Sequence, residues 1–173
     1  YCISRYVYKD HSIRFKWHHG RKWLKREIFY IFFTLAVSFF LIPFYLKSTG
    51  AYANWSVVIE FWFIFRLFIG TNVLGIWDEL FFVSTVLGLL RKHMKFVWAN
   101  AIQAVLFTSF LFELGFTGWA PFMIYPFALL QGYIFRKTDS LFYIITIHLV
   151  IDFVLFLALI NAHHPEYIRI FLT

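Results

Sequence analysis

Two close pairs of ionisable side chains stand inside stretches that otherwise read as membrane-spanning. Asp78 and Glu79 are adjacent in the apolar run Gly75-Ile-Trp-Asp-Glu-Leu-Phe-Phe-Val-Ser-Thr-Val-Leu-Gly-Leu-Leu-Arg-Lys92. His148 and Asp152 lie four apart in Ile147-His-Leu-Val-Ile-Asp-Phe153, a spacing that puts both on one face of a helix. Ionisable groups in a bilayer are costly, so each is a candidate functional residue. A carboxylate pair can act as general base toward water. An imidazole can orient a substrate carbonyl or a water, with a neighbouring carboxylate fixing its tautomer. Adjacent helical residues project about 100° apart, so at most one of Asp78 and Glu79 is expected to aim straight at a given partner. The competing structural readings are a His148–Asp152 hydrogen bond that joins helices, and a charge-balancing network of the carboxylates with Arg66.

These residues need a helical membrane scaffold to position them. The chain of 173 residues is 61% hydrophobic and 24% aromatic with only 14% charged residues, against about 25% charged in a soluble domain. Several apolar runs approach the roughly 20 residues that cross a bilayer as a helix, and in lipid each segment must satisfy its own backbone. The short alternating segments of a β-barrel are absent. The expected fold is an all-α polytopic bundle of six apolar segments, at 28–46, 55–69, 76–91, 96–116, 121–135 and 141–161. By domains, 1–27 is a basic interfacial or cytoplasmic arm, 28–162 the transmembrane unit and 163–173 a short tail.

The net charge of +7 is concentrated at the amino end. Basic residues beside a span favour the cytoplasmic side and attract anionic headgroups, so the arm is expected to face lipid and not nucleic acid. Trp17 and Trp23 suit the interface. The basic loops 91–95 and 136–137 should also be inside. Three crossings cannot join 1–27 to 91–95 on one side, so six segments conflict with this charge pattern.

Other residues carry less. Glu60 and Arg66 are expected to pair across helices, and Phe61, Phe63, Phe65 and Phe68 to contact lipid and pack. His163-His164 and His18-His19 read as solvated or headgroup-facing. Cys2 is the sole cysteine, so no internal disulfide is possible. No zinc-type His-Glu-x-x-His run, Gly-rich phosphate loop or serine elbow occurs. No cofactor or metal is expected.

The run Asp78-Glu79-Leu80-Phe81-Phe82 with Leu87-Gly88-Leu89-Leu90-Arg91-Lys92 resembles the first motif of the CPBP family, the CAAX-protease and bacteriocin-processing (Abi) group or type II CAAX endopeptidases. Leu129 to Leu141 is similar to that family's Gly-containing span and polar turn. His148-x-x-x-Asp152 matches its last motif, a His followed four residues later by Asn or Asp. The resemblance spans roughly residues 70–160. It implies an intramembrane endopeptidase in which a first-motif glutamate and a His on the next span activate water. The last-motif His and Asn or Asp would stabilise the oxyanion.

Three positions depart from the pattern. Asp78 stands for a Glu, Val83 for an Arg, and Phe116 for the His of Phe-x-x-x-His when that motif is laid on Phe112 to Phe116. Glu113 is a candidate substitute base, and Arg66 a candidate substitute cation. On these grounds the chain is expected to be a catalytically impaired CPBP-like membrane protein in the bacterial inner membrane. It would serve as a scaffold, an accessory subunit among other membrane proteins, or an immunity-type factor. The alternative is an active, atypical endopeptidase using Asp78, Glu79, Glu113, His148 and Asp152. A transporter using the same residues as a proton path is a third reading.

Overall fold

A computed structural model describes residues 22–171 together with Tyr6, Phe15, Trp17 and Gly20. The described residues are all-helical, with five long helices: α1 Lys25–Thr49, α2 Phe61–Leu90, α3 Phe96–Glu113, α4 Ala120–Thr138 and α5 Leu141–His163. A single 3₁₀ turn, Ala51–Asn54, follows α1. The helices start and stop where local chemistry dictates. Leu24 N donates to Glu27 Oε2 at 2.8 Å at the head of α1, satisfying one of the orphan donors of the first turn. Gly50, at φ 69°, ends that helix in the left-handed conformation that glycine adopts without steric cost. Tyr143 N donates to the Ser140 hydroxyl at the head of α5.

The six expected segments are therefore five helices. The second and third merge because Gly70 to Gly75 continues the helix, with Thr71 and Asn72 donating back to the carbonyls of Leu67 and Phe68. This merger removes the conflict over charge. Two crossings now join the amino-terminal side of α1 to Arg91–Lys95, and two more reach Arg136–Lys137. These basic segments lie at one end of the bundle. Tyr143 Oη donates to Glu27 O at 2.8 Å, Phe142 N to Trp17 O, and Arg91 and Arg136 both lie over the Phe96 ring. Trp23 packs there against Phe142 and Tyr143; most of the arm lies outside the described residues, including His18-His19. At the opposite end Asn54 Nδ2 donates to Gly115 O, and Tyr45 Oη to Thr117 O. His163 and His164 bond there to the carbonyls of Tyr52 and Val57.

The chain is an integral membrane protein. Four helices, α1, α2, α3 and α5, are long and apolar enough to cross a bilayer. The fifth, α4, carries more polar residues and runs antiparallel to α3 between the same two ends. α5 is the central element, with thirteen buried residues along one helix; α1 and α2 pack against it. Outward faces are aromatic, with Phe29, Phe61, Trp62 and Phe122 exposed, as a lipid-facing surface requires.

Candidate active site

The centre of the site is His148, buried on α5. Its Nδ1 lies 2.8 Å from Glu79 Oε1. The same oxygen accepts a hydrogen bond from Gln131 Nε2 of α4 at 2.8 Å, and that amide also donates to Ile144 O. Glu79, Gln131 and His148 thus tie α2, α4 and α5 together. On the other edge of the ring, Nε2 lies 4.0 Å from Asp78 Oδ2 and 3.8 Å from Asp152 Oδ1. Those separations are too long for direct hydrogen bonds. The expected His148–Asp152 bond is therefore not made, and Glu79 takes the imidazole instead.

Of the adjacent carboxylates only Glu79 bonds the imidazole directly; Asp78 stands 4.0 Å from the other ring nitrogen. α2 turns π-helical over Glu79–Val86, and the two acids face opposite ring nitrogens. Such widened turns are frequent at functional sites. A second local feature is Gly75. A Cβ at this position would collide with Asp152 Oδ2 and come within 3.1 Å of His148 Cδ2, so α2 and α5 approach closely only because that side chain is missing.

Asp78, His148 and Asp152 line a cavity of about 370 Å³. The rest of its wall is almost wholly apolar, drawn from α1 (Phe33, Val37, Leu41), α3 (Leu111) and α4 (Phe127, Leu130). Asp78 Oδ1, Glu79 Oε2 and Asp152 Oδ2 are buried and make no protein hydrogen bond among the described residues. Burying a charged group without a partner costs several kcal/mol even after relaxation, so these atoms mark a place prepared for something else.

The remaining sequence candidates fall elsewhere. Glu113 is exposed at the far end of α3 and is not part of the cavity wall, so it stands in no position to assist His148. Phe116 lines the cavity at the loop end, against Tyr45 and Trp55. The α3 residues on the side of His148 are Phe107, whose ring centre is 6.0 Å from the imidazole, and Leu111, one turn on. Phe107 and Leu111 share the four-residue spacing of Phe112 and Phe116. Val83 is packed among Leu87, Ala99, Leu141 and Ile144, an apolar setting with no call for a cation. Arg66 is exposed over Phe63 on its own helix, and Glu60 is an exposed N-cap; neither pairs across helices among the described residues. No group of three or more His, Cys, Asp or Glu among them is arranged to hold a metal ion.

The family model for the type II CAAX prenyl endopeptidase Rce1-like proteins matches residues 60–154, more than half of the chain, with Asp78, Glu79, Gln131, His148 and Asp152 inside the match. The chain belongs to this family. No curated protein and no solved structure matches it. Within the Rce1-like family match lie the first-motif acids Asp78 and Glu79, the α3 residues Phe107 and Leu111, and the last-motif pair His148 and Asp152. Sequence reasoning found the acids and the imidazole. It missed Gln131, whose signal was a lone amide in the apolar span Phe127–Ile134, and Gly75, whose signal was a glycine one turn before the acids.

Proposed function

We propose that the chain is an intramembrane endopeptidase that hydrolyses a peptide bond in a lipid-modified or strongly apolar substrate. The observation that carries this reading is the His148 imidazole, fixed by Glu79 on one edge and opening with Asp78 and Asp152 into an apolar cavity. Three buried carboxylates with uncommitted oxygens are costly to maintain, and a site retained only for packing would favour their loss. The apolar wall from α1 suits the isoprenoid of a prenylated cysteine, the substrate class of the family's name. Glu79 and Gln131 hold the ring orientation, and the cavity-facing groups address water and the scissile carbonyl. The basic end of the bundle would face the cytoplasm of the bacterial inner membrane and contact anionic headgroups.

A second reading is a scaffold, accessory subunit or immunity-type factor that has lost proteolysis and acts with other membrane proteins. Phe116 favours it, because it puts a side chain that cannot accept a proton where the resemblance implies a water-activating His. Reconstituted protein assayed on a prenyl-cysteine peptide separates the two. Glu79→Gln and His148→Gln, checked for folding by thermal melts, should each lower cleavage at least about 10²-fold, the low end for general acid–base help. Absence of cleavage by the wild type, with both variants intact in assembly and host phenotype, would favour the scaffold.

A further inference from the structure

The water-activating His that the family resemblance implies on α3 is absent, and the acids that face the cavity, Asp78 and Asp152, come from α2 and α5. We infer that Asp78 and Asp152 form a carboxylate dyad that holds and deprotonates the attacking water, with His148 Nε2 as the third corner of the water site. This inference rests on the endopeptidase reading and names the base for it.

The argument is geometric. Asp78 comes from α2 and Asp152 from α5, and both approach the same imidazole edge, at 4.0 and 3.8 Å from Nε2. Two bonds of about 2.8 Å meeting at one oxygen at roughly 90° span such distances. A water can therefore bridge Nε2 to each carboxylate where direct contact cannot, and in the dyad one water serves both. Among the described residues no protein hydrogen bond reaches Nε2, whereas Nδ1 is taken by Glu79. His148, Asp78 and Asp152 are all more than nine-tenths buried. Among the described residues the second carboxylate oxygens, Asp78 Oδ1 and Asp152 Oδ2, also make no protein hydrogen bond. A polar, partnerless corner of an otherwise apolar cavity is what holds an internal water, which needs two to four polar partners.

The step balances without a further reagent. The water oxygen forms a bond to the scissile carbonyl carbon while one aspartate takes its proton, and the carbonyl π electrons move to oxygen. A doubly protonated His148, its Nδ1–H on Glu79, donates its Nε2–H to that oxygen. As the tetrahedral species collapses, the C–N bond breaks and the leaving nitrogen takes a proton from the dyad. Paired aspartates perform this work in aspartic proteases.

Asp152→Asn distinguishes the roles. Asparagine keeps the size and the hydrogen-bonding capacity needed to orient His148 or bind an oxyanion, but it cannot accept a proton from water. A dyad predicts that this variant, with an unchanged melting temperature, cleaves the prenyl-cysteine peptide at least about 10²-fold more slowly. A smaller loss in a protein that remains active overturns the dyad and leaves the endopeptidase reading intact. If the wild type does not cleave and His148→Gln changes nothing, the endopeptidase reading fails. Labelling of Asp78 by dicyclohexylcarbodiimide then decides the dyad, because coupled carboxylates respond to each other. Asp152→Asn should change the Asp78 labelling rate, and an unchanged rate overturns the pair.

Discussion

The close approach of α2 to α5 at Gly75 makes a demanding prediction. An alanine there brings a methyl group into Asp152 Oδ2 and to 3.1 Å from both Asp152 Cγ and His148 Cδ2. The buried carboxylate must swing away or the helices must part. Overpacking of this kind costs about 1–3 kcal/mol. Replacing glycine by alanine inside a helix returns roughly 1 kcal/mol, so the net loss expected in stability is about 0–2 kcal/mol. The effect on chemistry should be larger, because misplacing a catalytic group by about 1 Å can cost 10²-fold. Gly70, in the same helix, supplies the control: a Cβ there meets nothing within 4 Å. Gly70→Ala should be neutral or stabilising and fully active. The assay is a thermal melt in detergent beside peptide cleavage in liposomes. If Gly75→Ala melts and cleaves like Gly70→Ala, the two helices do not meet as described, and the site's geometry is wrong.

Two further substitutions probe how the bundle is held. Gln131→Leu removes one of the two hydrogen bonds to Glu79 Oε1 and the bond to Ile144 O; leaving a buried acceptor short costs about 1–3 kcal/mol. Chemical unfolding in mixed micelles should show that loss, and a stability equal to wild type would mean that Gln131 does not bridge α4 to α2. Tyr45→Phe deletes the hydroxyl that donates to Thr117 O at 2.9 Å and fastens α1 to the loop before α4. A net loss of about 0.5–1.5 kcal/mol is expected, and faster proteolytic nicking at 114–119 would report it; an unchanged digestion pattern would refute the fastening.

Class and family were written in the sequence because they depend on composition and local spacing. An apolar chain in lipid has helices as its way to satisfy its backbone, and the i,i+4 spacing of His148 and Asp152 fixes a shared face whatever the packing. Asp78 and Glu79 announced themselves by their cost. Helix count was harder to read. Gly70, Thr71, Asn72 and Gly75 carry breaker and loop propensities, yet Thr71 and Asn72 bond to the preceding turn and the helix continues. Local propensity suggested a break, and packing against α5 overrode it.

Partner choice within the site belonged to the tertiary structure. Sequence spacing offered Asp152 to His148; the fold gave the imidazole to Glu79, 69 positions away, and left Asp152 facing the cavity. The π-helical turn over Glu79–Val86 depends on hydrogen-bond slippage within α2, which no residue type there requires. On α3, Phe107 packs on His148 with Leu111 a turn beyond, and Glu113 was left outside because α3 ends at that level. Sequence determined which groups were costly enough to need a reason; only the crossing of α2, α4 and α5 decided which of them meet, because side-chain contacts across helices depend on rotation and register that local chemistry does not encode.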